Sequence, residues 1–316
     1  MDLTSRAAPG GGEYARRGPP TATGAFRDRL PGSLAQGCAP ARHAPNHHTV
    51  LHADLITAIP ADDRGLTLGD GLFETVLAEG GALVRPGAHL DRMAAGCAVL
   101  GLPAPDAEAA LRAMRAALAA AGLQDGRAAV RLTLTAGSGG RGLERPEPLA
   151  PRLLATASPA PRPQAPARLA TATVRRNEGS PASRLKSLAY LDNVMARREA
   201  RAAGAEEALM LNTRGEIACA AAANLFWIEG ETLVTPGLDC GVLAGTARAR
   251  VLAAAGALGL AVREAAAPAE TLAGARGLFL TNALIGVRAV AVLDGRELAP
   301  HPLVERLAGA ISREPD

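Results

Sequence analysis

The stretch Ala208–Val234 reads ALMLNTRGEIACAAAANLFWIEGETLV. Ala208 to Leu211 and Glu216 to Cys219 are short apolar runs joined by Asn212-Thr213-Arg214-Gly215, whose composition is that of a hairpin turn. Asn224 to Ile228 and Thr232 to Val234 read as two further short strands. Working outward, an amphipathic helix is expected from about Leu188 to Ala203, stopped by Gly204, with a strand near Leu169 to Val174 ahead of it. A second helix is expected from about Thr246 to Leu258, opening at a Gly-Thr pair. Mostly short strands interspersed with two main helices predict an α+β, mixed-sheet domain over residues 167–316 and argue against a doubly wound fold.

Further upstream, the Pro-rich stretch 159–166 reads as an interdomain linker. Residues 48–158 read as a small α/β domain, with a helix from Asp106 to Leu123, a turn at Asp125-Gly126 and a strand from Ala128 to Thr135. Residues 1 to about 47 are rich in Gly, Pro, Ala and Arg and show no sustained period, so a disordered extension is expected there.

Composition narrows the function. A chain of 316 residues, 48% hydrophobic and 21% charged, can bury a substantial core in about two domains. Only 2% of residues are aromatic, and the net charge of +3 comes from arginines interleaved with Asp and Glu, so nucleic acid is not expected as a partner. Cys38, Cys97, Cys219 and Cys240 are far apart, which indicates neither a zinc site nor a disulfide framework. His43, His47, His48 and His52 are clustered, but Pro45 breaks the helix that would align them, and no metal is expected. No apolar run approaches the roughly 18 residues needed to cross a bilayer. A cytoplasmic protein is expected.

The chemistry-bearing residues lie in separate segments. Asp63-Arg64-Gly65-Leu66-Thr67-Leu68-Gly69-Asp70-Gly71-Leu72-Phe73-Glu74-Thr75 is followed by His89-Leu90-Asp91-Arg92-Met93. Lys186-Ser187-Leu188-Ala189-Tyr190-Leu191-Asp192-Asn193 comes next, then Ala223-Asn224-Leu225-Phe226-Trp227, Thr235-Pro236 and Gly241-Val242-Leu243-Ala244-Gly245-Thr246-Ala247-Arg248. A lysine amine of depressed pKa is a nucleophile toward an aldehyde. An arginine and a helix start together provide a phosphate site. Gly137-Ser138-Gly139-Gly140-Arg141-Gly142 is not a dinucleotide loop, because Glu144, Pro146 and Pro148 continue an irregular path where that motif requires a helix.

These segments, in this order from about residue 60 to residue 292, resemble the fold-type-IV, class IV aminotransferase family, whose fold is two-domain and like that of D-amino-acid aminotransferase. The resemblance implies pyridoxal 5'-phosphate as cofactor, with Lys186 as the catalytic lysine that carries it as an imine and shuttles the Cα proton. It places Arg92, Cys219, Asn224, Leu243, Thr246, Ala247, Asn282 and Ala283 around the cofactor with Lys186. Phe73, Arg141 and Tyr190 fall around the substrate, an amino compound bearing carboxylates, with Arg141 as the carboxylate ligand. A homodimer is implied as well.

One departure stands out. Cys219 occupies the position, five residues before Asn224, where most of the family has the carboxylate that pairs with the pyridine nitrogen. Glu216 is not a ready substitute, since positions three apart on a strand face opposite ways.

The glycine-rich loop ending in Arg141-Gly142 and the run Thr281-Asn282-Ala283-Leu284-Ile285-Gly286-Val287 resemble aminodeoxychorismate lyase, which releases pyruvate and forms 4-aminobenzoate for folate. The transaminases usually carry a threonine where Ala247 and Ala283 stand. A transaminase of branched-chain or D-amino acids is the alternative enzyme, and a non-catalytic binding module of the same fold is the alternative from another class.

Overall fold

A computed structural model describes residues 59–313 and the backbone of Leu51–His52. The expected extension, with His43, His47 and His48, lies outside the described residues, as does the side chain of His52.

In chain order the first elements are β1 (Leu51–His52), α1 (Arg64–Leu68), β2 (Gly71–Glu79), β3 (Ala82–Leu83), α2 (Pro86–Leu100), α3 (Ala107–Ala120), β4 (Arg127–Thr135) and β5 (Arg152–Pro159). Their strands form an antiparallel sheet in the order β1-β5-β4-β2-β3. Strand alternation divides its faces. Leu72, Val76 and Ala78 of β2 and Ala128, Val130, Leu132 and Leu134 of β4 are buried in one core beneath α2 and α3. Phe73, Thr75, Arg131 and Thr133 take the other face, with Phe73 opposite Thr133 and Thr75 opposite Arg131. Helix α3 starts where Asp106 accepts the Ala109 N–H at 2.7 Å, and it buries Ala110, Ala113, Met114, Ala117 and Leu118 at helical spacing.

The remaining elements are β6 (Ala167–Thr171), α4 (Pro181–Arg184), α5 (Leu191–Ala202), β7 (Glu207–Leu211), β8 (Ile217–Ala220), β9 (Asn224–Glu229), β10 (Thr232–Thr235), α6 (Thr246–Ala257), β11 (Ala261–Glu264), β12 (Gly277–Asn282), β13 (Gly286–Leu293), β14 (Arg296–Glu297) and α7 (Pro302–Arg313). The strands form one sheet, β11-β10-β9-β12-β13-β6-β7-β8, with β14 on β13. β10–β11, β13–β6 and β6–β7 are parallel and the other pairs antiparallel, so the sheet is mixed, as the alternation of short strands and helices predicts. Strands β9 and β12 read as continuous apolar runs because both of their faces are covered. Leu225, Trp227, Leu278 and Leu280 enter one core, while Phe226 and Phe279, with rings stacked at 5.0 Å, meet α6 and α7 in another.

The structure departs from the sequence expectation at the start of α5 and at α7. The helix expected from Leu188 begins at Leu191, because Lys186 and Leu188 are bonded to β2 through their main chains and Ser187 bridges Leu72. Helix α7 was not expected, although Pro302 at its first turn and Leu303, Val304, Leu307 and Ile311 at helical spacing are its signature.

Candidate active site

Lys186 is positioned by main-chain bonds. The Phe73 N–H donates to the Lys186 carbonyl at 2.8 Å and the Leu188 N–H to the Gly71 carbonyl at 3.0 Å, so the lysine segment is stitched to the start of β2. Gly71 allows this approach: a Cβ there would meet the Leu134 carbonyl oxygen at 2.2 Å and Leu188 Cδ1 at 2.9 Å. The side chain enters a cavity of about 290 Å³ lined by both sheets. Its Nζ lies 4.1 Å from the centroid of the Phe73 ring and 3.5 Å from the Tyr190 hydroxyl, and the two rings meet edge to face at 4.9 Å.

That setting tunes the amine. Burial lowers the Lys186 pKa to about 8; Glu74 opposes the shift, while the positive charges of Arg92 and Arg131 reinforce it. Lys186 is also the one lysine in the chain; the other 33 of its 34 basic Lys and Arg residues are arginines. A guanidinium does not deprotonate near neutrality and cannot serve as an amine nucleophile, so Lys186 carries the one side-chain amine of this sequence. Only the unprotonated amine attacks a carbonyl. The rate at which the cofactor-free protein captures an aldehyde should therefore rise with pH and level off above about 8. Stopped-flow capture of pyridoxal phosphate checks this, and a midpoint near 10.5, the ordinary lysine value, would contradict the buried setting.

Near Lys186, Glu74 organises Arg92 and His89. Its carboxylate, 1% exposed, accepts from Arg92 Nε at 2.7 Å and Nη2 at 2.6 Å and lies 2.7 Å from His89 Nδ1. Burial alone would raise the Glu74 pKa, but the hydrogen bonds from His89 and Arg92 hold it below the usual carboxylate range. His89 and Arg92 are one turn apart on α2, and the period of β2 turns Glu74 toward them while Phe73 and Thr75 face the cavity. Arg92 Nη1 also donates to the Ala244 carbonyl at 3.0 Å, and His89 Nε2 lies 3.5 Å from Thr246 Oγ1.

These contacts bring Arg92 to the first turn of α6, whose N–H groups have no intrahelical acceptor. Asn224 shapes that turn by donating to the Leu243 carbonyl at 2.9 Å, and Gly245 has to lack a side chain because a Cβ would fall 2.0 Å from Asn224 Oδ1. Thr281, opposite Asn224 in the sheet, is wholly buried and lines the cavity with a hydroxyl that has no partner.

Eleven of the twelve residues expected at the site line this cavity: Phe73, Arg92, Lys186, Tyr190, Cys219, Asn224, Leu243, Thr246, Ala247, Asn282 and Ala283. Arg141 does not line it. Its loop is gathered away by buried Arg64, which donates to the carbonyls of Gly139, Gly142, Leu143 and Glu144, and Arg141 itself is exposed. Asn282 lines the cavity with its amide already engaged, bonding the Ala222 carbonyl and the N–H groups of Leu284 and Ile285. Glu74, His89, Arg131, Arg176, Asn193 and Thr281 had been given no role from sequence. Glu74, His89, Asn193 and Thr281 carried a legible signal within their segments; Arg176 and Arg131 carried none.

The family described as amino-transferase class IV matches residues 71–293. The chain belongs to that family. Aminodeoxychorismate lyase of Vibrio harveyi is 28% identical over 263 residues, 81% of this chain and 94% of the relative. D-alanine aminotransferase of Listeria monocytogenes is 28% identical over 265 residues, 80% and 88% of the two chains. A pyridoxal-phosphate-bound aminotransferase structure from Mycobacterium tuberculosis superposes with a TM-score of 0.73 at 25% identity, covering 83% of this chain and 97% of its own. The architecture of this class IV protein is fold type IV, and the family's enzymes use pyridoxal phosphate.

The class IV cavity fits that cofactor at its aldehyde and phosphate. A lone, partly desolvated amine faces the cavity, and a guanidinium, an open helix start and an unpartnered buried hydroxyl gather beside it. At the other end of the cavity, Cys219 stands at the position that most of the family gives to a carboxylate, and Glu216 does not line the cavity. Among the described residues no helix is long and apolar enough to cross a membrane.

Proposed function

We propose that this enzyme is a 4-amino-4-deoxychorismate lyase that releases pyruvate and forms 4-aminobenzoate. The observation that carries the reading is that Cys219 lines the cavity and no carboxylate is among the lining residues. When bound, pyridoxal phosphate supplies the electron sink that acidifies the substrate Cα–H, and a pyridine nitrogen without a carboxylate partner makes that sink weaker. Elimination to an aromatic product brings its own driving force, whereas repeated amine exchange does not. The lyase-like segments 137–142 and 281–287 and the similarity to the Vibrio lyase point the same way.

In this reading Arg92, the N–H groups of Thr246 and Ala247, and the Thr281 hydroxyl hold the phosphate. Lys186 would hold the cofactor, and its freed amine would take the Cα proton and return one to the departing three-carbon unit. Tyr190 sits within reach of that amine to orient it. Phe73 and Tyr190 form an apolar wall for the substrate ring.

Arg131 is better placed than Arg141 to meet a substrate carboxylate within this chain. It is not itself among the cavity's lining residues, but its guanidinium lies 3.7 Å from the Phe73 ring centroid, its field reaches Lys186, and its Nε donates to the Thr133 hydroxyl. Arg131→Ala removes a charge-assisted contact worth about 1.5–3 kcal/mol and should raise KM roughly 10- to 150-fold with cofactor retained. Unchanged kinetics in that variant would remove Arg131 from the site.

The expected homodimer gains support from Leu191, Val194 and Met195, an exposed apolar stripe at i, i+3, i+4 spacing on α5, just after the lysine segment. Sedimentation at assay concentration should give twice the chain mass; a fully active monomer would contradict it. The activity itself is tested by incubating the purified holoenzyme with 4-amino-4-deoxychorismate and, separately, with amino donors and keto acids. Equal yields of pyruvate and 4-aminobenzoate are expected. Amine exchange without pyruvate release would make the enzyme a transaminase.

A further inference from the structure

Arg176 is 8% exposed and lines the cavity, and its guanidinium is satisfied by neutral acceptors alone. Nη1 donates to Asn193 Oδ1 at 3.1 Å, Nη2 to the Ser183 carbonyl, and Nε and Nη2 approach the Gly241 carbonyl at 3.4 Å. Among the described residues no carboxylate lies within ion-pair distance of it. Cys219, 7% exposed, lines the same cavity, and the positive charge of Arg176 acts on both Cys219 and Tyr190. Burial pushes the Cys219 thiol up, so it is the neutral S–H form that stands there. A buried cation that shares a cavity with a neutral thiol and has no anionic partner is unusual, because charges in the interior are ordinarily paired with an opposite charge.

We propose that Arg176 and Cys219 together form the seat of the cofactor's pyridine nitrogen and hold that nitrogen unprotonated. This rests on the cavity being a pyridoxal-phosphate site. Three effects act in one direction: burial disfavours a pyridinium, the Arg176 charge repels one, and the Cys219 S–H can donate only to a nitrogen that keeps its lone pair.

The acids around the site do not reverse the balance. Glu207, on the neighbouring strand, acts on Cys219, but its Oε1 accepts the N–H groups of Ala208 and Ala221 and its Oε2 is paired with Arg197. Glu74 acts on Lys186 and Tyr190 and is committed to Arg92 and His89. Arg92 and Arg131 add positive charge. Tyr190 is itself pushed up by burial and contributes no negative charge near neutrality. The consequence is chemical selectivity: electrons released at Cα are not stored in the ring and leave with a departing group, which favours elimination over amine exchange.

The test is nitrogen NMR of the wild-type holoprotein reconstituted with pyridoxal phosphate carrying ¹⁵N in the ring. Free cofactor measured above and below its own ring pKa supplies the two reference shifts. The bound nitrogen should show the full unprotonated shift at neutral pH, and a pyridinium shift would overturn the proposal while leaving the cofactor site intact. If the protein takes up no cofactor and borohydride leaves Lys186 unmarked, the cofactor reading falls and the proposal with it. Cys219→Glu, which sets a carboxylate beside Arg176, should move the signal to the protonated position, and Cys219→Ala should not. An unprotonated signal in a folded, cofactor-loaded Cys219→Glu protein would contradict the placement of the seat.

Discussion

Lys186→Ala should abolish both the visible absorbance of the bound cofactor and turnover, with product formation falling by at least about a thousandfold, or about 4 kcal/mol of barrier. The size of the effect follows from the uniqueness of the residue. The variant contains no lysine at all, so no second amine can take over the cofactor or the proton. Folding should survive, because the substitution removes a group that the fold has to desolvate, and the carbonyl that binds β2 belongs to the main chain. Circular dichroism and the melting transition of the cofactor-free proteins provide the control. Wild-type-like absorbance in the folded variant would show that the cofactor is held elsewhere.

Arg92→Ala should fail in another way, losing cofactor and stability together. Glu74 would remain 1% exposed with only His89 beside it, and breaking a buried pair by removing one partner costs about 3–5 kcal/mol. Because the fold holds Glu74 below its ordinary value of 4.5, its contribution is complete above that pH and is lost as the pH falls through the lower, folded value. The variant should therefore melt earlier near neutrality and show a weaker loss of stability on acidification. Its cofactor should wash out on dialysis, since Arg92 is the cation beside the open end of α6. A variant that melts as wild type and keeps its cofactor would remove Glu74 and Arg92 from the proposed phosphate end.

Much of this site was legible because its residues sit in local motifs with local causes. The helix start at Thr246, the Asn224 strand and the His89–Arg92 turn each depend on a few neighbouring residues, and the cavity draws on all three. Lys186 was legible from its segment, and the stronger signal, that the chain has no other lysine, lay in the whole sequence. What could not be read depends on contacts distant along the chain. Arg176 owes its setting to carbonyls at Ser183 and Gly241 and to Asn193, from three separate segments. Arg131 matters because β4 pairs with β2 in the register that sets it beside Thr75 and over Phe73.

The same dependence explains the start of α5 and the place of Arg141. A periodic helix signal runs back to Leu188, yet the helix starts at Leu191, because the main-chain bonds of Lys186 and Leu188 to Phe73 and Gly71 outweigh local propensity. Arg141 sits in a glycine-rich loop whose course is set by Arg64, some 75 residues earlier, and no local rule reveals which way such a loop turns.

The central claim is that Lys186 carries the cofactor in this cavity. Borohydride reduction of the wild-type holoprotein followed by peptide mass mapping tests it most directly. A cofactor-sized addition on the peptide containing Lys186, and on no other, is expected. An unmarked Lys186, or a mark confined to the N-terminal amine, would contradict it.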